Sequence, residues 1–314
     1  MQIDYKIIID NEEIENCGEL AWSDDIDTIA SEFSFNSTAN IVTGSKLVIT
    51  NGSNEILRGI ITDKKINANK TYTYSGFDYG FYLNKNEVII QFNKVKIDTA
   101  IKQLCAKVNV PCGNICAINA YVTKVFKDVV VSDIISELLE LATKKTGSKY
   151  VFSCQCGKLE ITDTMSECDS TIELTKGQYI KIADSLSDIE YSESIQDLKN
   201  SITLIDDNDK KTYVVASASD SKSISNYGLL GQIESIDKDD KTSKSIIAKN
   251  MLAELNKITT SIKVTLLGSD LFKKGSILAL DYPEYGVSGN YYAKNTSHAV
   301  KNKIHIVNAE LILV

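Results

Sequence analysis

Arginine is almost missing from this chain: Arg58 stands alone, and the remaining cations are lysines. We read this as codon bias in an AT-rich genome, not as chemistry. A basic excess is missing too, since 34 Lys and Arg face 42 Asp and Glu for a net charge of −8. Tight nucleic-acid binding relies on clustered cations along phosphates. The balance therefore excludes specific nucleic-acid binding and suits a surface that does not stick to DNA. No apolar run approaches the ~18 residues of a membrane-spanning helix, so no membrane insertion is expected. The opening Met1-Gln2-Ile3-Asp4-Tyr5 lacks the basic stretch and apolar run of a signal peptide. The expected place of synthesis and assembly is the cytoplasm.

Catalytic constellations are also missing. The only histidines are His298 and His305. A Ser-His or Cys-His site needs a base held by an acid, and nothing near either in sequence supplies one. Both read as solvated or packed strand residues. Cleavage of peptidoglycan needs paired carboxylates or zinc. Asp24-Asp25 and Asp239-Asp240 are adjacent pairs whose side chains diverge, and they read as turn and cap residues. Asp206-Asp207-Asn208-Asp209 lacks the Gly and the distal Glu of a calcium loop. Tyr227-Gly228-Leu229-Leu230-Gly231 has no basic neighbour and is no phosphate loop. The aromatic run Tyr72, Tyr74, Phe77, Tyr79, Phe81 and Tyr82 could stack sugars or bases. Without Lys or Arg among the closest of them, it reads as core and interface packing.

The seven cysteines are an odd count in a reducing compartment, which argues against a disulfide framework. Cys112 with Cys116 and Cys154 with Cys156 have poor spacings for zinc. No metal, no cofactor and no catalytic residue is expected, and the chain is read as a non-enzyme.

With 314 residues, 43% hydrophobic and 24% charged, the chain is long enough for two or three folded domains. The expected class is α+β, mainly β. Residues 1–93 read as a small barrel of short strands, with Phe33 and Phe35 alternating, Leu47 and Ile49 alternating, and a hairpin at Asn51-Gly52. Residues 94–168 read as a small α/β domain. Asp98 caps a helix carrying Ala100, Ile101, Leu104, Cys105 and Val108. Ser132 caps a second, with Ile134, Ile135, Leu138, Leu139 and Ala142 on one face and Gly147 as its C-cap. A hairpin turns around Gly157. Residues 169–314 read as a second barrel with one helix, from about Thr242 to Lys257. Ile180, Ile182 and Ile189 fall in extended stretches, and the strands 200–205 and 212–216 are joined by the Asp206–Asp209 turn.

An internal repeat carries the most information. Gly44-Ser45-Lys46-Leu47-Val48-Ile49 resembles Gly275-Ser276-Ile277-Leu278-Ala279-Leu280. Each is followed by a Gly-containing turn, a long strand (55–66 or 290–300), and a closing strand beginning at Thr71 or Lys303. The spacing favours two copies of one barrel.

Four further segments stand in a set order: Gly76-Phe77-Asp78-Tyr79-Gly80-Phe81-Tyr82-Leu83, the turn over 108–115, the stretch 147–163, and Leu198-Lys199-Asn200-Ser201-Ile202 with Tyr227-Gly228. Their order and spacing resemble the XkdQ/YqbQ-type hub proteins of contractile phage tails and phage-derived bacteriocins. The resemblance spans nearly the whole chain. It implies two tail-tube-like β-barrels flanking the α/β domain, and no catalytic residues. It implies a homotrimer whose six barrels form a pseudo-sixfold ring, a symmetry adaptor joining the sixfold tail tube to a threefold central spike beside other baseplate proteins. A tail-associated peptidoglycan-binding or peptidoglycan-cleaving protein is the rival reading.

Overall fold

The alternating segments at the start of the chain become neighbouring strands of one long sheet. The computed structural model describes residues 4–163, 190–208, 211–236, 242–267, 270, 272–282 and 287–313. Seven strands come first: β1 (Tyr5–Ile9), β2 (Glu12–Glu13), β3 (Cys17–Asp25), β4 (Glu32–Ser37), β5 (Lys46–Asn51), β6 (Asn54–Ile66) and β7 (Tyr72–Asp78). They lie antiparallel in the order β3-β4-β7-β6-β5-β1-β2. Strand geometry sends alternate side chains to one face, so Ile7, Ile9, Phe33, Phe35, Leu47, Ile49 and Tyr74 meet in a single core.

Two glycines let β6 and β7 touch. A Cβ on Gly59 would sit 2.2 Å from the Phe77 carbonyl oxygen, and one on Gly76 would sit 2.0 Å from that of Ile60. This is the physical content of the glycine that opens the Gly76–Leu83 segment. β7 ends on Asp78, and α1 (Gly80–Lys85) starts where Asp78 Oδ1 accepts the Gly80 N–H at 2.8 Å.

The middle of the chain supplies β8 (Glu87–Lys96), α2 (Ile97–Lys107), β9 (Cys112–Ile115), β10 (Tyr121–Val130), α3 (Val131–Thr146), β11 (Tyr150–Gln155) and β12 (Lys158–Asp163). β8 pairs with β10, and β9, β11 and β12 form a small mixed sheet. The helix faces read from the sequence do form the core: Ala100, Ile101, Leu104, Ile134, Ile135 and Leu138 are fully or almost fully buried. Full burial of each large aliphatic is worth about 1.5–3 kcal/mol.

The caps differ from expectation. Lys96 and Val130 occupy the N-cap positions in extended backbone with no side-chain bond, and Asp98 and Ser132 fall inside the first turns. Each helix leaves directly from a strand, so strand backbone sets the entry and the acidic residue only favours the dipole. Gly147 ends α3 at φ 78°, as read. Cys156 and Gly157 both have positive φ and form the tight turn between β11 and β12, so Cys156 is a turn residue and not a strand residue.

The last part begins with β13 (Glu190–Ser194). Then come β14 (Ser201–Asn208), β15 (Lys211–Ser219), α4 (Ser221–Tyr227), β16 (Gly231–Ser235) and α5 (Lys244–Leu255). β14 lies between β15 and β16, and α5 buries Ile247, Ala248 and Met251 against Ile202 and Leu204. Lys144 of α3 pairs with Glu234 at 2.5 Å, and Asn250 donates to the Lys144 carbonyl at 3.2 Å. The expected Asp206–Asp209 turn is wrong over its first three residues, since β14 runs on through Asn208. Asp209, Asp239-Asp240, Ile172, Ile180, Ile182, Ile189 and Cys168 lie outside the described residues.

Four strands close the chain: β17 (Thr259–Leu267), β18 (Ile277–Tyr282), β19 (Val287–Lys301) and β20 (Ile304–Leu313). Their order with β13 is β13-β17-β20-β19-β18, matching β3-β4-β7-β6-β5 strand for strand. The match extends to single bonds. Gly44 N donates to Ile61 O at 2.8 Å and Ile61 N to Ser45 O at 3.1 Å; Gly275 N donates to Ala293 O at 2.8 Å and Ala293 N to Ser276 O at 2.8 Å. Both glycines have positive φ, 93° and 78°. The register slips between Ile61 and Asp63 in β6 and between Ala293 and Asn295 in β19, a β-bulge at the same place. The repeat seen over three strands thus covers five.

The two blocks are not separate. β19 has fifteen residues and overhangs β18, and its second half pairs with β3. A single twelve-stranded sheet results, with one core under each block. Among the described residues no strand pair joins the ends of either block, so the expectation of closed barrels gives way to an open sheet.

Candidate assembly interface

The seam between the blocks is built by length and alternation. Because β19 outruns its hairpin partner, Asn295–Val300 meet Leu20–Asp25 antiparallel, with His298 opposite Trp22 and Thr296 opposite Asp24. These pairs lie on one face, turned inward. Trp22 lies flat on His298, ring centroids 4.6 Å apart. A chain of polar contacts then crosses the seam. Thr296 Oγ1 donates to Asp24 Oδ1 at 2.6 Å, and the same hydroxyl lies 3.1 Å from His298 Nε2. His298 Nδ1 is 3.0 Å from His305 Nε2, and His305 Nδ1 is 3.0 Å from the Tyr5 hydroxyl. Tyr5 donates in turn to Asp270, whose other oxygen accepts from Asn51 at 2.6 Å.

Protons are scarce along this chain. The two hydroxyls spend their protons on the two carboxylates. Two neutral imidazoles then have two protons for three remaining contacts. The chain is one proton short. Burial and the neighbouring His305 push His298 down to about 3, so an imidazolium there is disfavoured. Burial pushes the Asp24 carboxyl up, against the pull of Thr296 and Lys274.

Lys274 ties a third element to this seam. Its Nζ donates to the carbonyls of Asp25 at 3.0 Å and Thr28 at 2.7 Å and lies 5.0 Å over the Phe152 ring. Burial lowers its pKa, which Asp24 and Asp78 oppose. Asp78, buried nearby, is raised to about 7 by desolvation.

The histidines therefore do have an acid beside them, contrary to the sequence reading: Asp270 Oδ1 lies 3.8 Å from His305 Nδ1. Asp270, Tyr5 and Lys274 were not legible as partners, because Tyr5 and Asp270 stand 265 residues apart. The group is sealed, with His298 2% and His305 5% exposed. A recess of about 740 Å³ between α3, β10 and β16 and another of about 710 Å³ beside β3 are lined by neither histidine. Such an arrangement ties the two blocks of the one sheet together.

The other weighed residues fall as packing. Tyr74 is buried, accepts from Ile41 N at 2.8 Å and donates to Ala39 O at 2.7 Å, and Phe77 stacks on Phe81 at 5.9 Å. Asn200 is fully buried and clamps the Tyr227–Gly231 turn, donating to Gly228 O at 2.7 Å and accepting from Leu230 N at 2.8 Å. The two segments quoted for the last part of the chain are thus one device. Among the described residues no three His, Cys, Asp or Glu side chains gather as a metal-ligand set.

Known proteins agree with this architecture. The family model described as YQBQ-like matches residues 20–312. Two Bacillus subtilis (strain 168) proteins are similar: "Uncharacterized protein YqbQ", 27% identical over 82% of this chain and 78% of its own, and "Phage-like element PBSX protein XkdQ", 24% identical over the same shares. The 43 kDa tail protein of prophage MuSo2 from Shewanella oneidensis superimposes with a TM-score of 0.72 at 12% identity, over 98% of both chains. The match along nearly the full length places the chain in the YQBQ-like family.

Proposed function

We propose that this chain is a structural hub of a phage-type contractile tail baseplate, a homotrimer that joins the sixfold tail tube to a threefold spike. The duplicated five-strand block carries the reading. One chain with two equivalent blocks gives three chains six equivalent positions, as a threefold-to-sixfold adaptor requires. The names of the relatives, a phage-like element protein and a prophage tail protein, point the same way. We assign the blocks to residues 1–93 and 169–314, each contributing a tube-like barrel wall, with residues 94–168 between them. The role is mechanical and non-enzymatic, carried out in the tail baseplate of a virion or bacteriocin after assembly in the cytoplasm. The test is the mass of the full chain by light scattering, alone at high concentration and then with tube and spike proteins. A trimer is expected. A chain that stays monomeric beside both partners overturns the hub reading.

A further inference from the structure

The seam between β3 and β19 has an unfilled counterpart on the outside of the molecule. β6 is the equivalent of β19, and it too overhangs its hairpin partner: β5 pairs with it only as far as Ile60, leaving Asp63–Ile66 with β7 on one side alone. β13 is the equivalent of β3. It pairs with β17 on one side, and all five of its residues are exposed. Within the chain, then, one overhang has found one outer strand. Among the described residues the other overhang and the other outer strand each lack a second strand partner, and such edges invite pairing.

We propose that β6 of one chain pairs antiparallel with β13 of a second copy, in the register of the internal seam. This rests on the hub reading and names the contact that closes the ring. The register follows from the ladders. Asn295, Thr296, Ser297 and His298 correspond to Asp63, Lys64, Lys65 and Ile66, since the bulge precedes each set. Trp22 pairs with Phe33 as Tyr191 pairs with Ile262, and Phe33 and Ile262 hold equivalent places on β7 and β20. Trp22, Ser23, Asp24 and Asp25 thus correspond to Tyr191, Ser192, Glu193 and Ser194.

The side chains fit what that register demands. Ile66 comes opposite Tyr191, where the internal seam has His298 opposite Trp22. Both are large apolar residues left open in the single chain, 68% and 40% exposed. Lys64 comes opposite Glu193, where the internal seam has the Thr296–Asp24 hydrogen bond. An ion pair replaces a hydrogen bond, and opposite charges on facing positions stabilise antiparallel pairs. Ile195, 43% exposed, takes the place of Ile26, whose N–H donates to Lys294 O at 2.9 Å. The contact is head-to-tail, so it closes into a ring or runs on as a filament according to the rotation per chain.

The Ile26–Lys294 bond also fixes the alternation of close and wide pairs. Ser23 opposite Ser297 is a non-hydrogen-bonded pair, the kind whose side chains approach closest. Its counterpart is Ser192 opposite Lys65, both exposed. The test is disulfide trapping in the full-length double variant Lys65→Cys/Ser192→Cys, at high concentration with tube and spike proteins present. Covalent three-chain species are expected under oxidation, at least tenfold above the wild-type chain with its native thiols. The variant Lys65→Cys/Tyr191→Cys, one residue out of register, should stay at the wild-type level because alternate residues face opposite sides. If trimers form by mass but the in-register pair cross-links no better than the shifted pair, the proposed contact is wrong while the hub reading stands. If no trimer forms and no cross-link appears, both fall.

Discussion

Trp22 stacks on His298 with ring planes 11° from parallel, across the strand pair that joins the two blocks. An uncharged imidazole belongs in that position, and its cost on protonation sets a pH dependence. His298 is held down at about 3 by burial and by His305. The unfolded chain takes up this proton near pH 6.5 and the folded chain does not. The stabilising contribution is complete above that pH and is lost as pH falls towards 3, by up to about 1.4 kcal/mol per pH unit. Asp24 and Asp78 act with the opposite sign. The measurement is therefore the difference between wild type and His298→Gln in urea midpoint, at pH 7 and pH 5. Wild type should lose ground relative to the variant at the lower pH.

The missing proton in the seam gives a second expectation. Asn at position 24 brings its own donor to the Thr296 hydroxyl, whereas Ala leaves that contact empty. Asp24→Asn should be less destabilising than Asp24→Ala by about 1–2 kcal/mol. Because burial raises the Asp24 carboxyl, wild type is penalised as pH rises through its folded pKa. Asp24→Asn should therefore gain on wild type as pH rises above the ordinary carboxylate range. Urea titrations of the three chains check both points.

Gly76→Ala drives a Cβ into the Ile60 carbonyl oxygen and within 2.7 Å of Phe33 Cζ. Backbone in the middle of a paired strand cannot step aside, so a loss of about 3 kcal/mol or more is expected. Gly18→Ala, with nothing within 4 Å, should change stability by about 0.5 kcal/mol or less. Thermal unfolding of the pair gives the contrast.

Asn200→Ala removes both bonds to the Tyr227–Gly231 turn and leaves Leu230 N–H and Gly228 C=O without their partner. The expected loss is about 2–4 kcal/mol. Amide exchange at Leu230 should rise more than exchange in β5.

Elemental analysis after dialysis should find well under one zinc per chain, and incubation with labelled peptidoglycan should release no more soluble fragments than a heat-killed control. Cys112, Cys116 and Cys154 pack at the edge of the middle core, and burial pushes the Cys154 thiol well above its ordinary value, away from the thiolate that zinc needs. A stoichiometric zinc signal lost on mutating Cys154 and Cys156 overturns the first expectation.

What the sequence made legible was local. Leu47 and Ile49, the faces of α2 and α3, and the Gly44 and Gly275 turns all follow from alternation, helical spacing and backbone conformation. The wider repeat was not legible. Trp22 and Tyr191 share no pattern, and β3 is six residues from β4 while β13 is separated from β17 by residues 195–258. The seam escaped for the same reason. His305, Tyr5 and Asp270 become neighbours only through strand pairing, which no spacing along the chain encodes.

That long separation has a mechanical meaning. Ser194 and Thr259, the last residue of β13 and the first of β17, are direct partners on the ladder. Everything between them hangs from one rung, and a short turn could stand in its place without disturbing the sheet. Among the described residues it is also anchored to α3, through Lys144 to Glu234 and Asn250 to the Lys144 carbonyl, and to the segment after α3, through Lys149 to Glu254 at 2.8 Å. The β14–α5 unit is thus a brace. Load carried from strand to strand passes it by, while any tilting of α3 against the sheet must stretch or compress it.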